Sequence, residues 1–448
     1  MKKLFTTKDI LTTKDIEKYI HIHETEYLPT YEKMDKYARG KNPTIMEKKA
    51  PDPNNPDNRS KVSYGRKIIT TFTGYAYRPG YITYKSENEQ FLNDLNDIFK
   101  INKEQLKTSQ HGKNTGVFGV SYELLYLSKN DEAEPGMKSE LRFAVLDPRE
   151  VILLYDDAIE PKAKIAIRYY KIEDNKYSLT VYYADEIVTY ELEKTYDSYK
   201  FSNETRTENY LKGLPVVAFY LNVDDIMGII EPVVDLIDDY DVLVSDSMNE
   251  WNRFANAYLR LVKMSLGDMS KDKSPFGIIR SLQDLKRRRV WEKLPEKEAV
   301  SFLTKDIPTE YIKFMADLVR EQIHIQSHVP DLNSGAFAEN ISGVAIQRLM
   351  FDFENVVSNA EAEFDTALYE RIEIIEKYLG IKSMAQGTYD EITISHKRNA
   401  PLNLKEFADT ALVMKNAGFS NYLAADIMPD DIIPDVQEEL DRQQEEML

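Results

Sequence analysis

The chain has 448 residues, with 58 Lys plus Arg against 76 Asp plus Glu, for a formal net charge of −18. That length allows two or more domains with a sizeable core, while the acidic balance excludes a protein that grips nucleic acid over its whole surface, since phosphates are repelled. Cysteine is absent, which excludes disulfides and thiolate metal sites; the start, Met1-Lys-Lys-Leu-Phe5, runs into polar residues and not the apolar core of a signal peptide, and no apolar run approaches the roughly eighteen residues of a membrane span, so no membrane partner is expected.

Thr-Thr-Lys-Asp-Ile occurs at Thr6–Ile10 and again at Thr12–Ile16. Two copies make no repeat architecture, but each can start a helix, and a short helix through Ile16, Tyr19 and Ile20 is expected. His21-Ile-His23-Glu24 carries no stronger signal than polar surface. A polar stretch follows and ends in Pro51-Asp-Pro-Asn-Asn-Pro-Asp-Asn-Arg59, whose prolines and asparagines predict an exposed loop. From Lys61 to Tyr84 the pattern reads helix, turn, strand; Phe91–Ile101 and Glu104–Thr115 read as further helices.

Strands then dominate. Gly119–Leu127 and Leu141–Leu146 flank a polar turn as in a hairpin, and Asp147–Asp156, Ala163–Lys171, Tyr177–Tyr183, Glu186–Glu193 and Pro215–Tyr220 continue the signal. The pattern predicts an α+β domain built on an antiparallel sheet. Gly228–Met264 carries helical spacing through Ile230, Val234, Ile237, Val244, Met248, Trp251, Phe254, Tyr258 and Leu261. Gly267–Asp306 breaks it with short strand-like pieces around Lys286-Arg-Arg-Arg289, the one basic run in an acidic chain. Such a run is either a solvated turn or an electrostatic contact to DNA or an acidic partner.

Pro308–Leu379 reads as helix, loop and a very long helix. The first helix has an apolar stripe at Ile312, Met315, Val319 and Ile323 and a polar stripe at Lys313, Asp317, Arg320, His324 and Ser327. Pro330 stops it. The loop Asp331–Ile341 mixes small and polar residues with a single Phe337, which either anchors back on Leu332 or Val344 or faces outward. Ser342 can cap the next helix. That helix has one stripe, Ile346, Leu349, Phe353, Val357, Ala360, Phe364, Leu368, Ile372, Ile375 and Leu379, and spans about 55 Å at the usual helical rise. Glu361, Glu363, Asp365, Glu370, Glu373 and Glu376 are expected on its outer faces. Glu391–Ser395 reads as a strand, Leu404–Ala417 and Asn421–Ile427 as short helices, and the rest as an acidic tail.

Catalytic signals are weak. Gly112-Lys-Asn-Thr115 lacks the glycine spacing and the Ser/Thr after Lys of a phosphate-binding loop. His324 and His328 have metal-like spacing, but Ile325 stands where a zinc protease needs Glu, so no metal is expected. Asp224-Asp225, Asp238-Asp239-Asp241 and Asp430-Asp431 could serve a nuclease, yet in so acidic a chain they read as solvated faces and helix starts. No cofactor is expected.

The order of these elements, with Tyr64–Tyr75, Val117–Leu124, Leu146–Val151, Val329-Pro-Asp-Leu332 and Ser342-Gly-Val-Ala345, resembles the SPP1-like portal proteins of tailed bacteriophages. The resemblance runs over nearly the whole chain from about Lys61, and it rests on the succession of segments. It implies a non-enzymatic ring of roughly a dozen subunits, a head–tail connector at the capsid vertex, assembled in the host cytoplasm, whose channel passes double-stranded DNA during packaging and ejection. Its partners would be the terminase large subunit, a head–tail adaptor, and the major capsid and scaffolding proteins.

Mapped by position, residues 1–60 are an N-terminal arm, 61–227 an antiparallel-sheet wing, 228–265 a helix leading into the stem, and 266–307 a small α/β clip. Residues 308–330 are a second stem helix, 331–341 a tunnel loop, 342–380 a long wing helix, 381–400 a wing strand and connection, and 401–448 a helical crown that looks short. The resemblance assigns Asn333, Ser334, Gly335, Phe337, Glu339 and Asn340 to a DNA-facing loop. It puts Lys313, Asp317, Arg320 and His324 along the channel, and gives Lys286, Arg287, Arg288 and Arg289 to partner binding. The competing readings are an oligomeric scaffold or capsid-associated protein without a channel, and a metal-dependent DNA-processing enzyme.

Overall fold

The computed structural model describes residues 1–49, 56–129, 139–196, 198–222, 225–254, 258–262, 299–303, 309–334, 343–382, 387–399, 404–428, 432–433 and 436–446. The chain divides into two compact units. One comprises Met1–Lys41, Ser63–Asp235 and Glu321–Leu448; the other comprises Asn42–Val62 and Leu236–Arg320.

The first unit begins with β1 (Leu4–Phe5), α1 (Thr13–Ile22) and α2 (Leu28–Ala38). Thr12 starts α1 with a reciprocal cap, its hydroxyl accepting from the Asp15 amide at 3.3 Å while Asp15 accepts from the Thr12 amide at 2.9 Å. After α3 (Pro43–Met46), which belongs to the second unit, come α4 (Tyr64–Ala76), β2 (Ile82–Lys85), α5 (Glu89–Asn102) and α6 (Glu104–Phe118). The sheet strands are β3 (Val120–Lys129), β4 (Ser139–Leu146), β5 (Val151–Tyr155), β6 (Ala163–Glu173), β7 (Lys176–Tyr182), β8 (Glu186–Lys194), β9 (Tyr199–Glu208) and β10 (Val216–Tyr220).

Two sheets result. One has the order β1-β5-β6-β7-β8-β9, antiparallel except for β1, which runs parallel to β5. Its alternating apolar residues, among them Leu154, Ile165, Ile167, Leu179 and Val181, close a core with Ile16 and Ile20 of α1. The N-terminal helix is thus part of this sheet's core. The other sheet has the order β10-β3-β4, in which β3 and β4 form the expected hairpin, with Tyr122 opposite Leu146.

Helix α6 lies on β3 and against α4. Gly112 and Gly116 make that approach possible: a Cβ at Gly112 would stand 2.2 Å from the Tyr77 ring, and one at Gly116 would stand 3.1 Å from Phe72. Gly112 therefore sits mid-helix against an aromatic ring, where no phosphate could be cradled. Gly119, with φ 77°, ends the helix in the left-handed conformation.

In the second unit, most of α7 (Val234–Phe254) and the first part of α8 (Thr309–Ser327) accompany α3 and a two-stranded sheet. That sheet pairs β11 (Tyr258–Val262) with β12 (Ala299–Leu303) in antiparallel register. The helix expected through Met264 thus ends at Phe254. Tyr258–Val262 has a partner strand, and that pairing overrides a helical spacing that holds only at Tyr258 and Leu261.

The long helix, α9, runs Gly343–Ile381, 39 residues, or about 58 Å. Phe353, Val357, Ala360, Phe364, Leu368, Ile372, Ile375 and Leu379 are buried along it, as the periodicity predicts, whereas Leu349 at its start is exposed. Then β13 (Thr393–His396) pairs with β2, and α10 (Leu404–Asn416), α11 (Asn421–Asp426) and α12 (Val436–Glu446) close the chain. The acidic tail is helical through α12.

Candidate functional site at the junction of the central helices

The first helix of the junction, α8, ends through a series of local bonds. His328 takes φ 57°, and the amide of His328 donates to the Ile325 carbonyl at 3.2 Å. His324 is buried, its Nδ1 is 2.8 Å from the Val329 carbonyl oxygen, and its ring meets Tyr64 of α4 edge-on at 5.9 Å. Val329 is itself 1% exposed. Immediately beyond Pro330, Lys67 of α4 donates to Asp331 Oδ1 at 2.8 Å, and His324 Nε2 stands 3.8 Å from the same oxygen. Burial pushes the Asp331 carboxyl up, but the Lys67 hydrogen bond and the neighbouring charges outweigh it and hold the group below the usual carboxylate range. Asp331 in turn accepts from the Asn333 amide at 3.3 Å, and its carbonyl from the Ser334 amide at 2.9 Å. The chain leaves α8 in a defined turn.

On the other side of the junction, the far end of α4 meets α9. Tyr75 packs its ring on Phe353 at 4.9 Å, and its hydroxyl donates to the Glu354 carboxylate. Arg398, just after β13, donates to Glu354 at 3.0 Å and to Glu361 at 2.6 Å. His396 lies between Asp365 at 2.7 Å and Glu361 at 3.3 Å. Burial lowers its pKa, but the two carboxylates outweigh burial and raise it to about 9.

Further along α9 lies a buried charge cluster. Arg371 is fully buried, with Nε 2.6 Å from Glu123 of β3 and Nη1 3.0 Å from Glu104 of α6. His111 of α6 stacks on Phe219 at 4.1 Å, with Nε2 3.1 Å from Glu123 and Nδ1 2.8 Å from the Ser121 hydroxyl. Burial depresses the His111 pKa, so the neutral ring donates from Nε2 and accepts from Ser121. Burial raises the Glu123 carboxyl, but Arg371 and His111 outweigh it and bring it down to about 2. Arg371 also lies over the Phe143 and Phe219 rings at 5.4 and 5.2 Å.

The residues singled out in the sequence fall in different places. Lys313 is exposed, and Asp317 and Arg320 form a half-exposed ion pair at 3.0 Å on the same helix. His324 departs from that polar stripe: it is buried and secures the helix end, because one more helical turn brings the stripe under Tyr64. Asn333 and Ser334 begin the loop, while Gly335, Phe337, Glu339, Asn340 and the basic run Lys286–Arg289 lie outside the described residues. Glu361, expected on an outer face, is buried with Arg398. Among the acids, Asp241 is buried and accepts from Asn42 at 2.8 Å and from the Val62 amide at 2.7 Å, and Asp238 accepts from Thr44 at 2.7 Å. These two carboxylates hold α7 to the segment around α3. No group of three or more His, Asp or Glu among the described residues is placed to hold a metal ion, and no described helix is long and apolar enough to cross a membrane.

The family model "Phage portal protein, SPP1 Gp6-like" matches residues 16–447. The chain therefore belongs to the phage portal proteins, in the SPP1 Gp6-like family. Portal proteins are structural components of the phage particle, the head–tail connectors through which the genome is packaged and ejected. Among relatives, the portal protein of Clostridium phage phiCD119 is 22% identical over 373 residues, covering 80% of this chain and 78% of that protein. Among solved structures, the neck of a native gene transfer agent particle with C12 symmetry aligns over 90% of this chain and 94% of that one, at 11% identity and a TM-score of 0.46. The neck of an empty particle with C6 symmetry aligns over 82% and 90%, at 14% identity and a TM-score of 0.45.

Proposed function

We propose that about twelve copies of this chain close into a ring at one capsid vertex and pass double-stranded DNA through the central channel. The observation that carries the ring is uncovered apolar surface on the central helices. In the second unit, Trp251 of α7 is 66% exposed and Phe314 of α8 is 61% exposed, with Met248, Tyr311 and Leu318 beside them in the helical repeat. Large side chains at such spacing on long helices are what a neighbouring subunit covers.

In this reading the wing is residues 61–227, the clip 266–307, the stem helices flank the clip, the tunnel loop is 331–341 and the crown is 401–448. Lys313, Asp317 and Arg320 become rings of charge through symmetry, and the loop residues from Asn333 to Asn340 meet DNA. A net charge of −18 suits a lining that does not hold the duplex. The terminase large subunit and a head–tail adaptor dock at the clip through Lys286–Arg289, and the major capsid and scaffolding proteins meet the outer surface. Assembly takes place in the host cytoplasm.

Imaging and packaging test this reading. Negative-stain images of purified protein should show rings with a central hole, and Glu339→Lys should leave rings intact while slowing packaging in an in vitro motor assay. Particles without a hole, or packaging indifferent to that substitution, would contradict the channel or the placement of the loop.

A further inference from the structure

The six-stranded sheet closes one of its edges and leaves the other open. At the first, β5 is buried along its whole length and β1 pairs with it at Leu154 and Tyr155, after which the Thr6 amide donates to the Tyr155 carbonyl at 2.8 Å. At the second, β9 pairs with β8 on one side and with no described strand on the other. It is 10 residues long, about 33 Å, and every residue from Ser202 to Glu208 is exposed. In an antiparallel ladder alternate residues turn their N–H and C=O away from the partner strand. A strand of this length therefore offers a row of backbone groups on which a second copy of itself could pair.

Three features stand against that pairing. The Tyr199 amide, at the start of the row, already donates to Glu17 of α1 at 2.8 Å. The ladder then steps from Glu191 opposite Ser202 to Thr189 opposite Thr205, so Asn203 and Glu204 share Tyr190, and Asn203 takes φ 54°. The Asn203 side-chain amide pins this bulge by donating to the Glu191 carboxylate at 2.6 Å, and the bulge bends the strand away from a flat ladder. Beyond it the core-facing side of β9 changes character. Before the bulge Tyr199 and Phe201 pack on the core, Phe201 against the Tyr190 ring at 5.6 Å. After it Arg206 stands opposite Val188, a core residue, and cross-strand partners share a face. Arg206 is held there by Glu204 at 2.7 Å and Glu186 at 3.1 Å. A valine at that position would continue the apolar face, and the chain places a charge on it instead.

From this geometry we propose that β9 is a guarded edge. The Asn203 bulge and the inward charge of Arg206 keep this sheet from adding the β9 strand of a second copy, so that copies of the chain meet through other surfaces. The guard does not depend on how many copies assemble. It acts on a single chain and on a closed ring alike, where edge pairing would join one ring to another.

Light scattering and hydrogen exchange over a micromolar concentration series test the proposal. Deleting Asn203 together with Glu204→Val and Arg206→Val makes the edge regular and apolar. That variant should raise the particle mass at least about twofold over wild type, with exchange of the 200–207 amides slowed about tenfold on association. Arg206→Lys in place of Arg206→Val should return the wild-type mass. If the triple change yields no folded protein, Glu204→Val with Arg206→Val on the bulged strand should give the same mass increase at higher concentration. A folded variant that keeps the wild-type mass, or a mass increase with slowed exchange only outside β9, would overturn the proposal. So would wild-type protein whose 200–207 amides all exchange as slowly as those of β8, because a strand would then already lie on that edge.

Discussion

Two ion-pair sites hold the central helices to the sheet domain, and they are built in opposite ways. At Arg371 the guanidinium and Glu123 are wholly inside, and Glu104 nearly so. At Asp331 the partner is Lys67, a third of whose side chain is in water. A buried charge that loses its partner is stranded without solvent, whereas a partly exposed pair can recruit water at a smaller loss. The Arg371 site therefore makes the register of α9 on α6 and β3 a condition of folding. The Asp331 site, open to solvent on its Lys67 side, carries a smaller share of that stability.

The largest effect should come from breaking the buried site. Arg371→Met leaves Glu123 and Glu104 facing each other without a cation, and should destabilise the first unit by about 3–5 kcal/mol in urea unfolding. If that variant yields too little folded protein, Glu104→Gln keeps the Glu123 pair and gives a smaller loss. A loss below about 1 kcal/mol for Arg371→Met would erase the contrast between the two sites.

Next in size is a pH effect at His396. Its folded pKa of about 9 lies above the ordinary 6.5, so its contribution is complete below about 6.5 and is lost as pH rises through 9. Over that window the protein should lose about 1–2 kcal/mol, after allowance for partial exposure, and His396→Gln should remove that part of the slope. Thermal melts at several pH values read both.

The smallest effect on stability belongs to the Lys67–Asp331 pair. Lys67→Met should cost about 1 kcal/mol in urea unfolding, as partly exposed pairs do. A loss as large as that for Arg371→Met would mean that the two sites are equivalent.

Much of this fold was legible because it is written in periodicity. The stripe from Phe353 to Leu379 located α9, and alternation located β3 to β8. What periodicity could not reveal is polar residues that face inward. Glu104, Thr108, His111 and Thr115 repeat at four, three and four along α6 and are all buried, yet the same spacing describes a solvated face. Glu123 standing in an apolar strand was the available signal, and its partner Arg371 lies 248 residues away. β9 escaped notice for the opposite reason: nearly every residue of it is exposed, so no apolar alternation marks it. His324 belongs to the polar stripe by spacing yet is buried, because the stripe meets Tyr64 in the last turns of α8.

The central claim is that this chain is built to be one subunit of a ring. Native mass spectrometry of this chain at micromolar concentration measures that directly. The account predicts one closed assembly of about twelve copies, reduced toward monomer when Phe314 and Trp251 are both replaced by Asp. A folded protein that remains strictly monomeric, or an open ladder of masses without a preferred ring, would contradict it.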